Sequence, residues 1–267
     1  MSFKIKLSQQ NIFFYIVERI LRSHPITYLF IRYIIGKYLF SYFHESDLYG
    51  LKNFHMNKDL TILDIGANDG VSSKLFKLLF PKSIIYAYEP MDLHFSKINK
   101  LSSKNIYLRQ FGVSSKENKI YLYYPSISFF NKKYYLSSYT FTSKEELQKD
   151  IREHFVFRNK LVLERTLIEI KPIQENFKNR IFLIKIDVNG NEFDIIKSLE
   201  NHIIKSLPVI ISEVSEGTFK INNYLEKFGY KAYAYKKNGN FFYRNYSLNE
   251  LNLYYLRTNH LNNIKIN

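Results

Sequence analysis

Four carboxylic acids in this chain each stand at or beside the end of an apolar run, which is where an open sheet places its chemistry. Asp64 lies in LTILDIG, Glu89 closes SIIYAYE, Asp187 follows FLIKI, and Glu213 ends VIISE. A carboxylate so placed can accept hydrogen bonds from a ligand's hydroxyls, orient a reactant, or take a proton. The first acid is followed by Gly66, Ala67, Asn68, Asp69 and Gly70 and then by an amphipathic segment, giving a strand, a tight turn and a helix. Glycine lets the backbone take positive φ and lets a ligand approach main-chain N–H groups at a helix start. Glu89 falls a little over ~20 residues beyond the turn, where a doubly wound sheet sets an acid on a ribose. Turn and acid together suggest an adenosine pocket, although any tight strand-to-helix connection also uses glycine.

The turn separates two ligand classes. It is not G-x-G-x-x-G, because Ala67 and Asn68 stand between Gly66 and Asp69, and a pyrophosphate normally requires the full glycine set. S-adenosylmethionine has no phosphate and presents an amino acid group, so the departure favours it over NAD.

The elements that must position these acids read as an α/β, doubly wound and mostly parallel sheet. Strands are predicted over Leu60–Ile65, up to Glu89, over Ile106–Gln110, Leu167–Ile173, Phe182–Val188 and Leu207–Val214. Helices are predicted over Asp92–Leu101, Glu192–Leu199 and Phe219–Phe228, with a short helical turn at Gln174–Phe177. Tyr230–Tyr235 and Asn240–Arg244 read as an antiparallel hairpin about Lys237, Asn238 and Gly239. Lys119–Tyr124 alternates as a short strand, and the following 125–165 read as an insertion with a charged helix over Ser143–Phe155. Gly112 and Val113, after the third strand, would border the adenine. The expected layout is a helical appendage over 1–55, a ligand-binding domain over 56–245, and a polar, aromatic tail over 246–267.

Composition narrows the partners. The 267 residues include no cysteine, which excludes a disulfide framework, a thiolate metal site and a cysteine nucleophile. Lys and Arg number 39 against 24 Asp and Glu, a formal charge of +15, which suits an anionic partner or reflects the general drift toward Lys, Asn, Ile, Phe and Tyr. Residues 1–43 are aromatic and apolar but interrupted by Glu18, Arg19, Arg22, Arg32 and Lys37, so neither a signal peptide nor a spanning helix is predicted. One or two helices, packed on the domain or docked on a membrane interface, are expected there. The expected location is cytoplasmic, with peripheral attachment to the inner face of the membrane.

DIGANDG at Asp64–Gly70, YAYEP at Tyr86–Pro90, FGVSS at Phe111–Ser115 and KIDVNGNE at Lys185–Glu192, in this order and spacing, resemble the FkbM-type S-adenosylmethionine-dependent methyltransferases. The resemblance covers about Leu60–Glu216 and implies a Rossmann-like class I fold and O-methylation, often of a sugar in a surface glycan or of a secondary metabolite. It departs at Asn189, where the family usually has Glu. In this picture Gly66, Ala67 and Gly70 approach the methionine end of S-adenosylmethionine, Asn68 of the same turn also binds the cofactor, Asp64 orients the turn, and Glu89 accepts from both ribose hydroxyls. Asp187 is the first choice for the base that removes the acceptor's proton, with Glu213 second. The spacing of the acids gives no metal ligand set. A nucleic-acid methyltransferase would agree with the charge, but the proline-proline-aromatic loop common in base-nitrogen enzymes is replaced here by DVNGNE. A nicotinamide oxidoreductase lacks its turn, and a non-catalytic cofactor-binding module is the remaining alternative.

Overall fold

The computed structural model describes residues 46–54, 59–100, 105–129, 131–136, 139–155, 158–236, 240–244, 246, 250–262 and 264. The helices and membrane attachment expected of residues 1–43 lie outside these. Among the described residues no helix is long and apolar enough to cross a membrane. The chain divides into two units, one containing Ile120–Leu167 and the other Glu45–Lys119 with Ile168–Asn267.

The elements of the larger unit alternate as the apolar runs predict. In order they are β1 (Thr61–Ile65), α1 (Val71–Leu79), β2 (Ile84–Tyr88), α2 (Asp92–Lys100), β3 (Ile106–Arg109) and β4 (Gly112–Val113). The chain then passes through β5 (Asn118–Phe129), β6 (Lys132–Tyr135), α3 (Lys144–His154) and β7 (Val162–Lys171). It returns with β8 (Ile181–Ile186), α4 (Glu192–Ser198), α5 (Glu200–Ser206), β9 (Val209–Glu213), α6 (Thr218–Glu226), β10 (Lys231–Lys236), β11 (Phe241–Tyr243) and β12 (Asn252–Leu256).

Eight strands form one sheet in the order β11-β10-β12-β9-β8-β1-β2-β3. The run from β9 to β3 is parallel, and β12 is antiparallel to both β9 and β10. Every residue of β1 and β8 is buried, as expected of central parallel strands covered on both faces. The period of two shows in the packing: Leu63, Ile65, Ile184 and Ile186 join one apolar cluster, while Ile62 and Leu183 join another. The doubly wound sheet and its C-terminal hairpin therefore stand as expected.

Several boundaries differ from the sequence expectation. Gln174–Phe177 is not helical. The tail assigned to 246–267 supplies β12, whose five residues are all buried. Its tyrosines look polar in sequence, yet Tyr254 Oη donates to the Asp47 carbonyl at 2.7 Å and Tyr255 Oη to Asn222 Oδ1 at 3.0 Å, so both rings can be buried. The appendage assigned to 1–55 likewise ends in a 3₁₀ helix, Ser46–Asn53, that belongs to the main core through Leu48 and Leu51. Asp47 fixes that helix to β12, accepting from the Asn252 backbone N–H at 3.0 Å and from its side-chain amide at 3.1 Å.

In the smaller unit β5 and β6 pair antiparallel, with Ile127 opposite Tyr134. The expected charged helix is α3, which starts where Ser143 accepts from the Glu146 N–H at 3.2 Å. Its Leu147 and Ile151 pack with Ile127, Leu136 and Phe155.

Candidate functional site

Parallel register brings the acids to one end of the sheet. Asp64 on β1 stands opposite Ala87 on β2 and Lys185 on β8, and Ile186 stands opposite Ser212 on β9. Asp187 and Glu213 are therefore level at the ends of adjacent strands, whose spacing is about 4.8 Å.

Asp64 is completely buried. Its Oδ2 accepts from Ser72 Oγ at 2.7 Å and from Ser73 Oγ, so it ties the first turn of α1 to β1. No part of it faces solvent, so its contacts are with the protein rather than with a ligand. Lys185, the one charged residue in β8, is also buried; its Nζ lies 3.0 Å from Asp187 Oδ2, 3.2 Å from the Gly66 carbonyl and 3.8 Å from Asp64 Oδ1. A lysine inside an apolar strand is an exception to the pattern, and an ammonium can be buried only beside partners of this kind. Asp187 is held through its N–H, which donates to the Ile65 carbonyl at 3.1 Å, while its side chain is 29% exposed. It is the accessible carboxylate of the pair.

The glycine turn is closed on itself. Gly66 and Ala67 both donate their N–H to the Tyr88 carbonyl at 3.1 Å, and Gly70 donates to the Ala67 carbonyl at 2.8 Å. The Ala67 side chain packs with Ala87 and Ile98. What Gly66 contributes is close approach: it has φ +77°, and a Cβ there would stand 1.8 Å from the Asp187 carbonyl oxygen. Gly70, at φ 81°, starts α1.

Glu89 is the acid that the turn surrounds. It is 5% exposed, and its two oxygens accept from the Asn68 and Met91 N–H groups, each at 2.9 Å. A carboxylate offers about four lone-pair sites, so acceptance from two ligand hydroxyls remains open. Beside it the Asn68 Oδ1 is buried and, among the described residues, has no hydrogen-bond partner, an acceptor that a ligand hydroxyl or ammonium would satisfy. This orphan and the carboxylate fit a ribose carrying an amino acid group. Burial pushes Glu89 up to about 7, against the pull of the Met91 and Asn68 N–H groups and the Lys185 ammonium.

Asp47 behaves alike, raised by burial to about 6 against its bonds to Asn252. Both acids bind protons more tightly folded than unfolded. Their contribution to stability is complete below about pH 4 and is lost as pH rises through about 6 and then about 7. Thermal melts of the ligand-free chain should show this downward component between pH 4 and 7, and Glu89→Gln should remove its upper part.

The remaining assigned residues serve packing first. Val113 is buried in the core, and Gly112 is the small residue that admits Ile170, whose Cγ2 would lie 2.9 Å from an added Cβ. Both belong to β4, paired with Ile170 and Lys171 of β7. The expectation that they border an adenine therefore rests on their backbone. Glu89 is joined to this region because its N–H donates to the Arg109 carbonyl at 3.0 Å. Asn189 is exposed with φ 58°, a left-handed conformation that Asn tolerates better than most residues, and this gives the departure at that position a local cause. Residues missed in the sequence are Lys185, the paired serines at the start of α1, and Met91; the signal for the lysine was a single charge inside an apolar run.

The sequence matches the family model described as "Methyltransferase FkbM domain" over residues 64–232. No curated protein matches it. Among solved structures it is similar to a methyltransferase FkbM from Methylobacillus flagellatus KT, at 13% identity and a TM-score of 0.48, covering 76% of this chain and 45% of that one. It is also similar to precorrin-6y C5,15-methyltransferase from Geobacter metallireducens GS-15, at 18% identity and a TM-score of 0.37, covering 70% of this chain and 71% of that one. A SAM-dependent methyltransferase from Aquifex aeolicus is similar at 13% identity and a TM-score of 0.35, covering 77% of this chain and 86% of that one. The chain thus spans less than half the length of the first of these structures.

Proposed function

The chain belongs to the FkbM family of S-adenosylmethionine-dependent methyltransferases, and on that premise we propose that it methylates a hydroxyl of a sugar in a surface glycan or of a secondary metabolite. The observation that carries the placement of the donor is Glu89, a buried carboxylate at the end of β2 with the orphan Asn68 Oδ1 beside it. Glu89 accepts from the ribose hydroxyls, and Asn68 accepts from the ribose or the ammonium group. Gly66, Ala67 and Gly70 shape the turn around the methionine end, with Asp64 and its two serines holding the turn in place. In this reading Gly112 and Val113 border the adenine through their backbone.

When bound, S-adenosylmethionine supplies a methyl group whose C–S bond breaks with its electron pair going to sulfur as the acceptor oxygen forms the O–CH3 bond. The acceptor's proton is left for the protein. Asp187, partly exposed just after β8 and anchored through its backbone to β1, takes that proton, and Glu213 is the second candidate.

Glu89→Ala should weaken donor binding by about 1.5 to 3 kcal/mol, the range for hydrogen bonds to a charged group. Wild-type affinity should also fall as pH drops below about 7, by up to about tenfold per pH unit for a single linked proton. Titration calorimetry checks both; unchanged affinity in a folded Glu89→Ala variant would remove the ribose assignment.

Residues 1–43, with aromatic and apolar side chains between Arg and Lys, support peripheral attachment to an anionic membrane surface. Co-sedimentation with anionic vesicles should weaken with salt, because its electrostatic part is screened over about 8 to 10 Å at physiological ionic strength. Failure to co-sediment even at low salt would remove the attachment.

A further inference from the structure

Lys185 is the feature of the site that no assigned role uses. It lies in the fully buried strand IFLIKI, where an unpaired ammonium would cost several kcal/mol. Its carbon stem runs in the core, and its head meets groups from two strands: Asp64 and the Gly66 carbonyl from the β1 end, and Asp187 from its own strand end. Asp64 is already satisfied on its other oxygen by Ser72 and Ser73. The 3.0 Å contact to Asp187 Oδ2 is shorter than the 3.8 Å contact to Asp64, so the ammonium is committed to the accessible acid while the buried one anchors it from behind.

We propose that Lys185 is the positioning residue of the methyl-transfer site, fixing the Asp187 carboxylate with one oxygen on its ammonium and leaving the other to meet the acceptor hydroxyl. Two carboxylates sharing one ammonium carry one net negative charge, complementary to a cationic sulfonium donor. As transfer proceeds the acceptor O–H bond breaks and its proton binds Asp187. The charge lost from that carboxylate balances the charge lost when the sulfonium becomes a neutral thioether. Lys185 then retains Asp64 and the Gly66 carbonyl, so its burial stays compensated through the step. The proposal rests on the assignment of Asp187 as base.

The test is a cycle of Lys185→Met, Asp187→Asn and the double variant in the full chain, read by turnover, donor affinity and thermal midpoint. Lys185→Met should lower kcat by about 10²-fold, the effect of ångström-scale misplacement of a reacting group, with donor affinity changed by less than about threefold. The double variant should lose no more turnover than the worse single variant, and its thermal loss should be less than the sum of the two, because both substitutions break one ion pair. Lys185→Gln, which keeps a donor without the charge, should fall between wild type and Met in kcat. It carries the same comparison if the Met variant does not fold. Normal kcat in folded Lys185→Met with Asp187→Asn impaired, or strictly additive losses in turnover and midpoint, would overturn the positioning role alone. Normal turnover in Asp187→Asn would overturn the base assignment and the inference with it.

Discussion

Asp187→Asn should bind the methyl donor with nearly wild-type affinity and lose about 10² to 10⁴ in turnover, the usual worth of a positioned general base. The loss should fall on kcat, because the substitution removes proton acceptance and leaves the donor pocket intact. The backbone bond from Asp187 to Ile65 is unchanged by it, and Lys185 keeps the Gly66 carbonyl and Asp64 as partners, so the fold should survive. Glu213→Gln, at the end of the adjacent strand, should lose less. Transfer of labelled methyl to a glycan or nucleotide-sugar pool from the source cell measures both. Near-normal turnover in Asp187→Asn would remove it from the mechanism and leave Glu213 as the candidate base.

Gly66→Ala should abolish the folded site. At φ +77° an L-residue already costs about 1 to 2 kcal/mol, and here the new Cβ would also stand 1.8 Å from a backbone carbonyl oxygen. The opposing atom cannot turn aside as a side chain would, because the Asp187 N–H is bonded to Ile65 and the two strands are paired in register. A loss of about 4 kcal/mol or more is expected, in the class of exceptional single substitutions, against a total stability of about 5 to 15 kcal/mol for a typical domain. Thermal or denaturant unfolding checks it. A variant that melts near wild type would show that the approach of the β1 turn to the β8 end is not obligatory.

The central parallel strands were legible because burial on both faces produces continuous apolar runs, as in Thr61–Ile65 and Ile181–Ile186, and the acids were legible because such runs end abruptly at them. The roles within the site were less so. Asp64 lies one residue before the end of β1 and Glu89 directly follows β2, yet one proved to anchor two serines inside the protein, eight and nine residues on, and the other to accept from the turn 21 residues before it. Lys185 was visible only as an exception to a pattern, since its partners come from β1 and from the residue two positions on. β12 was hidden for a different reason. Tyr254 and Tyr255 satisfy their hydroxyls on Asp47 and Asn222, 207 and 33 residues away in the chain, and no local period announces such a bond.

The most direct test of the donor site is calorimetric titration of the full chain with S-adenosylmethionine, S-adenosylhomocysteine and NAD. Saturable one-to-one binding of the first two, weakened in Glu89→Ala, with no binding of NAD, is the predicted result. Tight binding of NAD, or no heat from either adenosyl sulfur compound with a folded protein, would contradict it.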